Sequence, residues 1–327
     1  MTIGLQSDLQ IYNALFNGAM YESVAQNLDA LNANSAGTIL LGNEFLKGNY
    51  AQTSFWKALT TPVTRRNMTS VSAVDDKAAS QAEVVSVKIL KKFGPFAHAI
   101  GALKQVGTTP AAWFEMMGGQ YGKTKTEEQL NMAFNALVAA LEAQTAIVYD
   151  ATGTSATSLT HGNLVEGMAL FGDRSSSIKA WVMHSKPYFD LVGNAISDKI
   201  TNVADVVIYG GGPGTFNKPV IVSDSSYLID SSTSTSEYYV LGLTEGAAQL
   251  TQSAEDTIAN VDEVTGLEQL AVRSQAEFAY NLSIKGFEWD SDIGSSNPTA
   301  ATVGTGSNWD KVVTSDKDLA GIMIKVL

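Results

Sequence analysis

The sequence predicts an α+β fold in which one long helix stands among short strands and turns. Sustained helical periodicity occurs from Thr124 to about Tyr149, and alternating apolar and polar residues mark strands on either side of it. Thr124-Lys125-Thr126-Glu127 fits a capping box, in which the Thr124 hydroxyl accepts from the Glu127 N–H and the Glu127 carboxylate reaches back. Leu130, Phe134, Leu137, Leu141, Thr145 and Val148 follow at spacings of three and four and form one stripe. Ala133, Ala136, Ala139, Ala140 and Ala143 keep the neighbouring faces thin. At about 1.5 Å per residue this spine is on the order of 35–40 Å long.

Before the spine, Leu9, Tyr12, Leu15, Phe16, Met20, Val24, Leu28 and Leu31 recur at helical spacing, weakened at Gly18, and Asn32 to Ala51 reads as an extended arm or loop. Phe55-Trp56-Lys57-Ala58-Leu59 precedes Pro62, Arg65-Arg66 and a polar stretch from Ser70 to Gln81. In Glu83 to Leu90, Val85, Val87 and Ile89 alternate with Ser86 and Lys88, the period of a half-buried strand. The two halves predict a long exposed hairpin, which is an aggregation liability unless a partner covers it. Phe55, Trp56, Arg65, Arg66, Lys88, Lys91 and Lys92 are the candidate intersubunit contacts on it. Gly94-Pro95 reads as a break, and Gly118-Gly119 as the end of a short mixed segment before the spine.

Beyond Gly153 the texture becomes that of a separate α/β unit. A helix is expected over Leu159–Leu170, a buried strand at Ala180–Met183, and a helix from Pro187 to Ile196. Strands follow at Val206–Tyr209, Pro219–Val222 and Tyr238–Leu243. Asp256 to Trp289 reads as a second long hairpin with its turn at Asp262–Gly266, and the chain then runs through a Ser/Asn/Thr/Gly stretch to the apolar Leu319–Ile324. No internal repeat of fixed period is present.

Composition narrows the function. Charged residues make up 17% of the 327 positions, below the roughly 25% of ordinary soluble chains, so neutral polar residues or an assembly must account for the surface. The net charge of −12 is opposite to the basic footprint of a sequence-reading nucleic-acid binder. With no cysteine there is no disulfide and no thiolate chemistry. The N-terminal residues lack the pattern of a signal peptide, and no apolar run has the length to span a bilayer. His98, His161 and His184 do not sit at metal-ligand spacing, and no nucleophile elbow is found. The glycine run Gly210–Gly214 invites a phosphate-loop reading but lacks the following Lys-Ser/Thr, so an exposed turn is the better reading. No catalytic residue, cofactor or metal is therefore expected, and the chain is not read as an enzyme.

Arm, hairpin, spine helix, α/β unit and terminal hairpin, in that order, resemble the tailed-bacteriophage major capsid protein family. Ile178 to Ser185 with the helix after it looks like the segment opening that family's axial domain. Phe216 to Asp224 resembles its "G-x-P-V-x-x-S-D"-like strand and turn, with Asn217-Lys218 where glycine is often seen. Tyr239 to Ala247 looks like its "y-x-x-G-x-G-A" strand with an added Thr-Glu pair, and Arg273 to Trp289 is similar to its last long peripheral strand. The resemblance implies an N-terminal arm (1–49), an extended hairpin loop (50–92), a peripheral domain (76–154 and 251–327) holding the spine at 124–149, and an axial domain (155–250). It further implies a subunit that assembles through pentamers and hexamers into an icosahedral shell around double-stranded DNA, made in the host cytoplasm and resident in the virion. The implied partners are further copies of the chain, a separate scaffolding protein, a portal and decoration proteins, with no membrane. No lysine–asparagine crosslink motif is matched. The alternatives are an encapsulin-type nanocompartment, another repetitive virion protein such as a tail tube, and a nucleotide-binding α/β enzyme using the glycine run.

Overall fold

A computed structural model describes residues 16–20, 22, 35–43, 48–57, 59, 63–107, 109–153, 158–202, 215–216, 218–232, 235–265 and 268–327. Strands β1 (Ile39–Asn43), β2 (Tyr50–Trp56) and β3 (Gln81–Ala99) precede helices α1 (Ile100–Gln105) and α2 (Pro110–Glu142). Strand β4 (Val148–Asp150), helix α3 (His161–Ala169), strand β5 (Ile178–Met183) and helix α4 (Ser185–Asn202) follow. Next come β6 (Val220–Val222), β7 (Ile229–Asp230), β8 (Glu237–Thr244), β9 (Ala248–Val264), β10 (Ala271–Ile284) and β11 (Phe287–Trp289). Helix α5 (Ala300–Val303) and strands β12 (Trp309–Lys311) and β13 (Gly321–Val326) complete the order. One sheet runs β1-β9-β10-β3-β2, a second runs β4-β13-β8-β5-β6 with β7 on β8, and β11 pairs with β12 alone.

The long helix exists, but its ends correct the sequence reading of 124–149. It spans Pro110–Glu142. The Thr109 hydroxyl caps its start by accepting from the Ala112 N–H at 3.3 Å, with proline in the first turn where its missing N–H is harmless. Thr124 and Glu127 lie inside the helix, where Glu127 pairs with Lys123 at 3.7 Å. At the other end Val148-Tyr149-Asp150 leave the helix because the second sheet takes them as β4, parallel to Met323–Lys325 of β13.

Gly118 does not interrupt α2; it makes room for another segment. A Cβ built there would lie 2.4 Å from the Phe16 carbonyl oxygen, so the backbone of the helical residues 16–20 crosses the spine at this point. Phe16 and Tyr121 stack beside the crossing with ring centroids 6.1 Å apart. Gly118→Ala is expected to destabilise the subunit by about 2 kcal/mol through this clash. Gly119→Ala, with nothing within 4 Å of the added carbon, is expected to stabilise it by about 1 kcal/mol through helix propensity. Equal thermal midpoints for the two variants would remove the crossing from the account.

Three other expectations change. Ile39–Asn43, read as arm, is an edge strand parallel to Ala248–Gln252, with Ile39 and Leu41 buried. A five-residue run is too short for periodicity to register, and its hydrogen bonds come from a strand far along the chain. Gly94-Pro95 is a cis bond within β3, which continues past it as a bulge: the pairing shifts between Ser274 and Ala276 of β10. The second hairpin begins at Ala248, and its strands stay paired to Val264 opposite Ala271, so the turn lies beyond 264. The expected helices over 159–170 and 187–196 are α3 and α4, and the strands at 180–183, 219–222 and 238–243 are β5, β6 and β8. Val206–Tyr209 and Gly210–Gly214 lie outside the described residues, as does most of the helix expected over 8–31.

The core of the first sheet faces α2, with Val87, Ile89, Phe278 and Tyr280 under Phe114, Tyr121 and Ala133. The second sheet is buried around Trp181, Val182, Leu241, Ile322 and Ile324. Strands β4 and β13 belong to the same sheet as β5 and β8, so sheet membership crosses the sequence boundaries drawn at 155 and 250. Two crossed ion pairs, Arg174 with Asp318 and Lys317 with Asp173, pin the segment before β13 to the turn before β5.

Candidate intersubunit interface

Strands β2 and β3 pair antiparallel from Tyr50 opposite Val87 to Trp56 opposite Gln81, and the Lys57 N–H donates to the Ser80 carbonyl at 2.9 Å to close the base of the loop between them. Beyond that base the chain leaves the sheet. Residues 63–80 are exposed without exception. Hydrogen bonds within the stretch include Asn67 Oδ1 accepting from the Thr69 N–H at 3.1 Å and Ser70 Oγ accepting from the Ser72 N–H at 3.2 Å. Apolar side chains occur along this stretch, with Val63 88%, Met68 91%, Val71 105% and Val74 87% exposed. Isolated exposed apolar residues are ordinary on a surface, but four nearly fully solvated ones on a single projecting segment mark a contact to be made.

The sequence-derived contacts divide. Arg65 and Arg66 lie in the exposed loop, and Trp56 at its base is 64% exposed. Phe55 is half-buried and walls a groove. Lys91 points inward to the spine, where its Nζ lies 2.8 Å from Glu128 Oε1, so its charge is met within the chain. Lys88 and Lys92 sit opposite Asn281 and Glu277 in the register with β10. Val63, Met68, Val71 and Val74 were passed over because each is a single apolar residue in polar sequence, without period. Their only sequence signal is that nothing nearby lets them be buried locally.

The groove, about 530 Å³, lies between β2 and the turns that follow β8, β10 and β12, and is walled by Phe55, Val84, Ile284, Val312 and Val313. Glu245 and Asp318 stand at it beside Lys285, whose Nζ donates to Thr244 Oγ1 at 3.2 Å and to the Glu245 carbonyl at 3.0 Å. Near the hairpin base, Glu288 of β11 stands directly across from Asp310 of β12; burial first, and Asp310 next, raise its pKa above the usual carboxylate range. The groove and the Glu288–Asp310 pair each join separate segments of the chain, which is why neither was legible from sequence.

The histidines serve packing and capping. His98 abuts Trp113 at 5.9 Å, His161 stacks on Phe216 at 4.5 Å, and His184 Nδ1 accepts from the Lys186 N–H at 3.2 Å at the start of α4. Among the described residues, no group of three or more His, Asp or Glu side chains has the geometry to hold a metal, and no helix is long and apolar enough to cross a membrane.

Phage capsid structures share this fold. The capsid of Ralstonia phage GP4 is 10% identical with a TM-score of 0.54, over 88% of this chain and 87% of that one. A chain of Microbacterium phage Oxtober96 is 11% identical with a TM-score of 0.54, over 89% and 90%. The acid-stable capsid of Helicobacter pylori bacteriophage KHP30 is 11% identical with a TM-score of 0.53, over 88% of each chain. No curated protein sequence matches. A family profile described as "Major capsid protein 13-like" matches residues 8–323, nearly the whole chain, and with it the chain belongs to the Gp13-like major capsid proteins, the structural shell subunits of phage virions.

Proposed function

We propose that this subunit assembles through pentamers and hexamers into a closed icosahedral shell around double-stranded DNA, catalysing no reaction and needing no cofactor. The observation that carries the proposal is the loop 63–80, an apolar-bearing segment that is exposed throughout in the lone subunit; in this reading a neighbour covers it. In this reading the hairpin 50–92 and the arm before it reach across neighbours. The spine and first sheet form a peripheral domain, and the second sheet forms most of an axial domain near the symmetry axes. Contacts that join two different surfaces of one chain generate rings when the rotation closes, as pentamers and hexamers require. The charge of −12 suits a wall that encloses DNA without gripping it. A separate scaffolding protein, a portal and decoration proteins complete the set of partners, with assembly in the host cytoplasm.

Electron microscopy of the expressed protein, alone and with its neighbouring gene products, tests the reading. Shells or capsomer rings are expected; a monomer that forms neither under any condition overturns it. Nuclease-protected DNA within native particles separates a genome container from a protein-filled compartment. The loop supplies a second readout. Arg65-Arg66 is expected to be cut rapidly by trypsin in the free subunit and protected in particles. Reversing both arginines to glutamate is expected to lower the assembled fraction about tenfold while moving subunit stability by no more than about 0.5 kcal/mol. Equal loss of folding and assembly would deny the loop an intersubunit role.

A further inference from the structure

The groove beside β2 and the loop 63–80 fit each other in chemistry but do not meet within one chain. The groove has apolar walls, including Phe55, Ile284, Val312 and Val313; of its two carboxylates Asp318 is paired with Arg174, while the Glu245 carboxylate stands exposed and the Lys285 ammonium is bonded to Thr244 Oγ1 and the Glu245 carbonyl. Its volume of about 530 Å³ lies within the range of pockets that enclose ligand-sized groups. The first limb of the loop carries the opposite complement: Val63 and Met68 are almost wholly exposed, and Arg65 and Arg66 lie between them. The chain's own loop does not fill its own groove, because residues 63–80 are all solvent-exposed. Geometry explains why. Thr53, Ser54 and Phe55 form one wall, and β2 runs on through Trp56 to the loop base at Lys57–Ser80, so the loop departs from the wall's end.

We infer that the groove is the receptor for the Val63–Met68 limb of a second copy, with Val63 and Met68 against its apolar walls and Arg65-Arg66 set against Glu245. This rests on the reading of the loop as an intersubunit element and adds which surface receives it. Asp318 is already held by Arg174, which fixes its place at the groove. Glu245 is exposed, so it is the carboxylate with most to gain from an arriving guanidinium. A limb that enters a groove elsewhere on the next copy makes a contact of unlike surfaces, repeated in one direction around a ring.

The absence of cysteine makes the test specific, since a disulfide can form only where residues are introduced. Met68→Cys and Val313→Cys combined in one chain are expected to give, on oxidation of assembled particles, a ladder of linked subunits on a non-reducing gel. Each single variant gives none. In parallel, Glu245→Arg is expected to reduce assembly about tenfold, and Arg65→Glu with Arg66→Glu in the same chain to restore at least half of it. Particles that assemble but show neither linkage nor charge rescue overturn the groove assignment while leaving the loop an interface. Particles in which trypsin still cuts at Arg65-Arg66 overturn the interface reading itself. Because Glu245 and both arginines are exposed, their variants are expected to keep the parent's thermal midpoint, and a lowered midpoint in the charge-swapped chain counts against the inference.

Discussion

Replacing Gly321 with alanine is expected to cost about 3 kcal/mol or more of folding stability. A Cβ at this position would lie 2.2 Å from the carbonyl oxygen of Gly242 and 3.1 Å from the Leu243 Cα. All the opposing atoms are backbone, so no rotamer change relieves the contact. Nor can β8 step back, because it is bonded to β13 on one side and to β5 on the other. A Cβ at Gly242 itself would lie 2.7 Å from the Trp181 ring, so the sheet is already closed tightly against its core. A fall of roughly 5 °C in the thermal midpoint and a loss of soluble yield are expected. Gly193→Ala in α4, with nothing within 4 Å, supplies the opposite sign and shows that the loss is local. A Gly321→Ala subunit as stable as its parent would mean that β13 is not packed as described.

The second large effect concerns Lys125. Its side chain sits beneath α2 at 4% exposure, with Nζ 5.5 Å from the centre of the Phe278 ring. Phe278 of β10 lies against it, and Tyr121, Glu128 and Gln129 are its neighbours three and four residues away on α2; Glu128 is engaged by Lys91, and Tyr121 is met edge-on by Phe93 of β3. Burial lowers the Lys125 pKa from 10.5 to about 8. The unfolded chain therefore holds more protons than the folded one between pH 8 and 10.5, and folding stability rises with pH across that window. Below pH 8 the full penalty, about 3 kcal/mol, is present. Lys125→Met keeps the apolar stem and discards the charge. Allowing for about 1 kcal/mol of lost ring attraction, it is expected to stabilise the subunit at pH 7 by about 2 kcal/mol. Tyr239 and Tyr280, whose pKa values burial raises, act in the opposite direction above about pH 10, but equally in both proteins. Denaturant titrations of parent and variant should therefore converge as pH rises from 8 to 10. A pH-independent difference would sink the assignment.

Much of this architecture was legible where a segment's pattern answers to its own neighbours. Strands β5 and β8 announced themselves as apolar runs because nearly all their residues are buried, and β3 as an alternation because Val87 and Ile89 point into the core while Lys88 and Leu90 do not. The spine was visible from Leu130 to Leu141, where the core surrounds it. Its start was missed because a plausible capping box at Thr124 competed with the true cap at Thr109, and because Gly118-Gly119 reads as a break unless the crossing of Phe16 is known. Lys91 looked like a surface charge, since Glu128 lies a sheet-to-helix contact away and not nearby in sequence. The exposed hairpin was readable as a stretch that could not bury itself. The groove was not, because its walls come from β2, β3 and the turns after β8, β10 and β12.

Both sheets are closed by strands that lie far apart along the chain. Ile39 pairs with Ala248, and Val148 with Met323, separations of roughly two hundred residues. Contacts of that span make folding slow, because loop closure precedes any reward from pairing. They also impose a schedule during synthesis. At about 5–20 residues per second, roughly 10–40 s separate the emergence of β1 from that of its partner strand. The loop 63–80 leaves the ribosome early in this interval, whereas Glu245 and Val313 appear near or after its end. In the inferred docking, subunits growing on one messenger would display the projecting limb before any of them has a finished receiving surface, and translation order alone would delay polymerisation until the chains are nearly complete.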